Sequence, residues 1–136
     1  MPAARKTDKR MSNIARKSAD KSKRIAQKTD KKVAAAKAKG KSGKMAAMRG
    51  ENKQQKNQIR TAGKMQATKM RGEQKQQISR AKAAGAPKER IQNLRSDGAQ
   101  KRSHLKSAQK SKMSAAKGDM KARMSHLRSQ RRSAKK

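Results

Sequence analysis

The sequence predicts an all-α or largely disordered chain: long basic helices on an eleven-residue repeat, with little or no hydrophobic core, ordered on binding a partner. Three observations carry that expectation. Ala4-Arg5-Lys6-Thr7 returns eleven residues later as Ala15-Arg16-Lys17-Ser18 and again as Ala26-Gln27-Lys28-Thr29. Leu94-Arg95-Ser96, Leu105-Lys106-Ser107 and Leu127-Arg128-Ser129 keep the same grid near the other end, and Met48-Arg49-Gly50-Glu51 recurs two units on as Met70-Arg71-Gly72-Glu73. Eleven residues make three helical turns at about 3.67 residues each, so every repeat returns to one helix face. Finally, the 136 residues include no Phe, Trp, Tyr or Cys but 42 Lys and Arg against 8 Asp and Glu, a net charge of +34. Low hydrophobicity with high net charge opposes a compact state in isolation, because burial offsets neither the ordering entropy nor the self-repulsion.

The first block, residues 1–39, carries Met11, Ile14, Ile25 and Val33 on a 3-4-4 stripe that also passes through Ser18, Ser22, Thr29 and Ala36. That is a helical period with half its positions hydroxyl or methyl. Gly40-Lys41-Ser42-Gly43 interrupts it and reads as a flexible joint at 40–43. The second block, 44–84, is rich in Met and Gln. Met45, Met48, Ile59, Met70 and Ile78 share one frame that Met65 misses. Gly50, Gly63 and Gly72 each cost about 1 kcal/mol of helix relative to Ala, so this helix is expected to need a partner.

Gly85-Ala86-Pro87 is the clearest breaker, with Gly suited to a helix end and Pro to the start of the next. In the third block, 88–127, Ile91, Leu94, Leu105, Met113, Met120, Met124 and Leu127 lie on one stripe, with Gly98, Arg102, Gln109 and Ala116 in its gaps. Residues 128–136 read as a basic tail. The stripes could instead form the core of a three-helix bundle. Partner-stabilised helices, or loose self-association along the stripe, are the preferred expectation, since a bundle gathers many cations with few carboxylates.

No catalytic or metal site is expected, and no cofactor. The acidic residues stand apart from one another among Lys and Arg, spacing the positive charge and forming local ion pairs rather than an acid–base dyad. His104 and His126, each in a Ser-His-Leu context, would lie about 33 Å apart on one helix, too far to share a metal. Gly40-Lys41-Ser42 lacks the first glycine and the apolar strand of a phosphate-binding loop. Without cysteine there is no disulfide or thiolate zinc site, and no apolar run approaches a membrane span or a signal-peptide core. The basic, acid-poor start has a transit-peptide composition, but so has the whole chain.

What remains is distributed charge. The candidate nucleic-acid contacts are Arg5, Lys6, Arg16, Lys17, Lys28, Arg49, Arg71, Arg95, Lys106, Arg128, Arg131 and Arg132, which would hold phosphates without reading bases. Single-strand binders stack bases on aromatic rings, and this chain has none, which favours duplex DNA or structured RNA gripped through the backbone; of these, duplex DNA is the preferred expectation over RNA. Ser18, Ser129 and Ser133 sit in basic contexts that suit basophilic kinases, and each phosphate would add about two negative charges.

In its Lys/Ala/Ser-rich, aromatic-free composition the chain resembles linker-histone tails and other small histone-like or protamine-like condensing proteins, without sharing a motif or their Pro-Lys repeats. That resemblance implies packaging of a nucleic acid in a chromosome, nucleoid or virion. The eleven-residue beat is similar to that of desiccation-protective late-embryogenesis-abundant proteins, which implies protection of membranes or proteins. The expectation is therefore a non-enzymatic, sequence-independent binder that neutralises and compacts DNA. The alternatives are an RNA-binding or ribosome-associated protein and a structural protein on anionic membranes. A small-molecule substrate, secretion and a transmembrane course are not expected, and the thin apolar stripe makes a membrane surface the weaker partner.

Overall fold

A computed structural model describes residues 2–135, with the side chains of 5–133. They form three long α-helices and no strand: α1 (Pro2–Ala38), α2 (Lys44–Ala83) and α3 (Lys88–Lys135). The basic residues from Arg128 onward, expected as a tail, continue α3 to Lys135. Nothing local stops them, since the run contains neither Gly nor Pro.

Both breaks close in the same way. Gly40 takes a φ of 79°, its N–H bonds to the Lys37 carbonyl at 2.9 Å, and the Lys41 N–H reaches back to Ala36 at 2.9 Å. Gly85 repeats the arrangement at a φ of 74°, with bonds to Lys82 at 3.1 Å and from Ala86 to Ala81 at 2.9 Å. This is the Schellman closure, which satisfies the orphan carbonyls of a helix end and needs a left-handed residue that glycine supplies without strain. The segment expected as a flexible joint is thus a hydrogen-bonded turn. It ends where the Gly43 carbonyl accepts the Ala47 N–H at 3.0 Å to start α2. Pro87 likewise offers its carbonyl to Arg90 and Ile91 and opens α3.

The chain divides into two units. One comprises Met1–Lys17 and Arg60–Lys110, the other Ser18–Ile59 and Ser111–Lys136. In the second, α1 is half-buried at Ser18, Ser22, Ile25, Thr29, Val33 and Ala36, the side chains of the expected stripe. That face meets α2 through polar contacts. Ser22 Oγ donates to Gln54 Oε1 at 2.9 Å, Gln54 Nε2 donates to the Ser22 carbonyl at 2.9 Å, and Asn57 Nδ2 donates to the Ser18 carbonyl at 3.2 Å. Against the other side of α2, α3 buries Ala116 and Met124 and half-buries Met113, Met120 and Leu127.

In the first unit, Met11 and Ile14 of α1, Met65, Met70 and Ile78 of α2, and Ile91, Leu94 and Leu105 of α3 are half-buried. Gln74 spans from α2 to α3. Its Nε2 donates to the carbonyls of Leu94 and Arg95 at 3.4 and 3.3 Å, and its Oε1 accepts from Arg102 Nη1. The stripes are therefore used between helices of one chain. Self-association along them, preferred at the sequence level, would have to displace contacts inside each unit.

The glycines of α2 explain how helices with so few large side chains meet. Gly50 lies against Thr29 in the second unit, as Gly72 lies against Thr7 and Gly63 against Gln109 in the first. A Cβ at Gly72 would stand 2.6 Å from Thr7 Oγ1, and one at Gly63 2.6 Å from the Gln109 amide carbon. What each glycine costs in helix propensity is offset by the close approach it permits. The support that α2 is expected to need because of these residues is present within the chain, in α1 and α3. The glycines are contact points.

Candidate nucleic-acid interface

All twelve cations expected to touch nucleic acid are exposed. Arg5, Lys6, Arg16, Lys17, Arg71, Arg95 and Lys106 belong to the first unit, and Lys28, Arg49, Arg128, Arg131 and Arg132 to the second. The cause is the helical period. The 3-4-4 stripe of small and apolar residues turns inward, so Lys and Arg at the intervening positions point to water. Two of the twelve are tied to near neighbours: Arg16 Nη2 donates to Asn13 Oδ1 at 3.3 Å, and Arg131 Nη1 lies 3.6 Å from Met45 Sδ.

Few carboxylates restrain these cations. Among the described residues one ion pair forms, Arg123–Glu51 at 3.6 Å, with both side chains largely exposed. It joins α3 to α2, in place of the local pairs within a helix that the sequence suggests. At such exposure it contributes no more than about 1 kcal/mol. Glu51 and Asp119 line a cavity of about 140 Å³ in the second unit, together with Asn52, Met120 and Arg123. Glu73 and Asp97 line one of about 240 Å³ in the first, with Gln74, Gly98 and Lys101. Those positions correspond at a shift of twenty-two residues, two sequence repeats. Four of the chain's eight carboxylates are thus turned to the α2–α3 side.

The α1–α2 side of the first unit has the opposite character. A cavity of about 550 Å³ is lined by Lys6, Thr7 and Arg10 of α1 and by Thr68, Arg71, Gly72, Lys75, Gln76, Ser79, Arg80 and Ala83 of α2. It holds five cations, several neutral hydrogen-bonding groups and no carboxylate. Of the residues expected from the sequence it unites Lys6 and Arg71. Arg10, Lys75 and Arg80 are not among those expected, although the shared Arg-Gly step at 49–50 and 71–72 marks α2 as internally duplicated.

Ser129 and Ser133 are exposed, as modification would require. Ser18 is half-buried against α2, where Asn57 Nδ2 also lies 3.5 Å from its Oγ, so modification there would have to displace that contact. His104 and His126 are exposed, the latter 3.1 Å from Gln130, and no group of three or more His, Cys, Asp or Glu among the described residues is placed to hold a metal. Among the described residues no helix is long and apolar enough to cross a membrane. No protein-family model matches the chain, and no curated protein or solved structure is similar to it.

Proposed function

We propose that this chain is a non-enzymatic protein that binds nucleic acid through the phosphate backbone, without reading sequence, and so neutralises and compacts DNA. One observation supports this above the rest. Nearly all of the described cations point away from the helix–helix contacts, which are made mainly by small, apolar and amide side chains, so apart from Arg102 on Gln74, Arg123 beside Glu51 and Arg131 on Met45 the positive charge does little to hold the helices together. Forty-two cations against eight carboxylates oppose folding by self-repulsion, and a polyanion relieves that cost.

The mechanism is counterion release. Each phosphate neutralised by Lys or Arg frees condensed cations, and affinity depends on how many contacts form rather than on any one of them. The eleven-residue period suits this role. Each eleven-residue repeat drifts only about 20° around a straight helix, so the inward stripe of one repeat follows closely on that of the last and the intervening faces stay cationic. A base-paired ligand is favoured over a single strand, because no aromatic ring is present to stack an unpaired base, and duplex DNA is the one proposed. The biological setting this reading implies is a chromosome, a nucleoid or a virion. A membrane role has less support, since the apolar stripe that would enter a lipid surface faces other helices.

Binding of the full chain to a labelled duplex, a structured RNA and anionic vesicles across a salt series tests the proposal. Tight duplex binding with a steep salt slope, unchanged by base sequence, is the expected result. Lys106→Gln lowers that slope by about 1 or less. Preference for structured RNA would move the protein to RNA packaging or the ribosome. Failure to bind either nucleic acid near physiological salt would end the proposal.

A further inference from the structure

We infer that the cavity between α1 and α2 of the first unit is a phosphate-binding cleft, the place where a nucleic-acid backbone seats most tightly. The inference rests on the proposed nucleic-acid reading for its ligand, but its geometry is independent of that reading. Five cations line it, all of them exposed: Lys6 and Arg10 on one wall, Arg71, Lys75 and Arg80 on the other. On an open helix face these charges would be screened within about 10 Å. In a cleft, low-dielectric walls focus the field on whatever enters. Three guanidinium groups suit phosphate oxygens in particular, because each can present two parallel N–H donors.

The second unit supplies an internal comparison. Twenty-two residues earlier, the counterparts of Arg71, Gly72 and Lys75 are Arg49, Gly50 and Lys53, so the backbone approach and two of the cations are shared. The difference is in the polar residues. Gln54 and Asn57 reach across to Ser22 and Ser18 and spend their hydrogen bonds on α1. Their counterparts in the first unit, Gln76 and Ser79, line the cavity instead, and Gln58 is replaced by Arg80. One copy of the duplicated segment closes against α1 with amide–hydroxyl bonds. The other leaves those donors on an open, cationic wall. Of the carboxylates nearest in sequence, neither lines it: Asp8, between Lys6 and Arg10 on α1, is exposed outside the cavity lining, and Glu73 lies on the α2–α3 side, in the cavity with Asp97. The volume lies within the roughly 300–1,000 Å³ usual for ligand sites.

The test compares identical charge changes inside and outside the cleft in the full chain. Ser79→Glu places a carboxylate in the cleft, and Ser96→Glu places one on the exposed face of α3 in the same unit. Affinity for a short duplex is expected to fall about 10-fold for the first and less than about 3-fold for the second. R71Q/K75Q/R80Q is compared likewise with R95Q/K106Q/K110Q, so that the result does not hang on one side chain. Circular dichroism establishes that all four variants keep wild-type helicity. Titration with inorganic tripolyphosphate, followed through backbone amide resonances, is expected to shift Gly72, Lys75 and Ser79 first.

Equal losses inside and outside the cleft, in a protein that binds duplex, would overturn the cleft and leave distributed binding standing. A wild-type chain that ignores the duplex would end the nucleic-acid reading, and tripolyphosphate alone would then decide. Shifts confined to the cleft would keep it as a phosphate site, and absent or evenly spread shifts would remove it.

Discussion

Replacing Gly50 with Ala sets two opposing quantities against each other. Mid-helix, the change is worth about 1 kcal/mol in favour of Ala. A Cβ at this position, however, would fall inside the contact distance of Thr29, and it would stand 2.8 Å from that residue's Cβ, which no rotamer change can move. Thr29 is held further by its own Oγ1, which donates to the Ile25 carbonyl at 2.7 Å. Overpacking of this kind costs about 1–3 kcal/mol. The expected net effect is destabilisation of up to about 2 kcal/mol, while Gly118→Ala, where a Cβ meets nothing within 4 Å, gains about 1 kcal/mol. For a chain of this length each kcal/mol moves the melting temperature by roughly 3–5 °C, so the two variants should melt on opposite sides of the wild type. Thermal unfolding followed by circular dichroism at constant salt reads this directly. Combining Gly50→Ala with Thr29→Ala should recover part of the loss, because two of the three clashing atoms disappear. If Gly50→Ala stabilises as much as Gly118→Ala, then α1 and α2 do not meet here and the packing of these two helices is wrong.

Other substitutions probe the polar seams. Gly63→Ala should be milder than Gly50→Ala, close to neutral in the same melting assay, since it meets the far end of Gln109, a side chain that can swing away. Asn57→Ala removes the bond to the Ser18 carbonyl from a buried amide and should cost about 1 kcal/mol in urea unfolding; no loss would mean that the contact is not made. Asn52 is buried with its Oδ1 unpartnered, so Asn52→Leu should raise stability by about 1 kcal/mol, and a fall would show that the oxygen is satisfied in solution. A basophilic kinase should label Ser129 or Ser133 well ahead of Ser18, read by phosphopeptide mapping of the folded chain; prompt labelling of Ser18 would contradict its burial.

Much of the helix architecture is legible in the amino-acid sequence. On α1, the stripe from Met11 to Ala36 falls on the half-buried positions, and on α3 the stripe from Ile91 to Leu127 falls on half-buried or buried ones. Each of these helices presents essentially one face, and one face is what a period of 3.67 reports. Only half of α2 can be read in this way. Met48 and Met70 mark the side that shares cavities with α3, but the opposite side is made of Gly50, Gln54, Asn57 and Gly72, which carry no hydrophobic signal. A helix with neighbours on two sides needs two stripes, and polarity hides the second.

Local chemistry in one dimension therefore settled the helices, their ends at Gly40 and Gly85, and the outward charge. These depend on residues within a turn or two of each other, through i→i+4 bonding, the left-handed tolerance of glycine and the helical period. Only tertiary structure decided that the glycines of α2 are contacts, that Ser18 faces an amide and not water, and that Lys6 and Arg10 share a cleft with Arg71, Lys75 and Arg80. Those pairings join residues on different helices, far apart along the chain. They depend on the register in which one helix lies against the next, and a repeating sequence offers that register again every eleven residues until the side chains meet and choose.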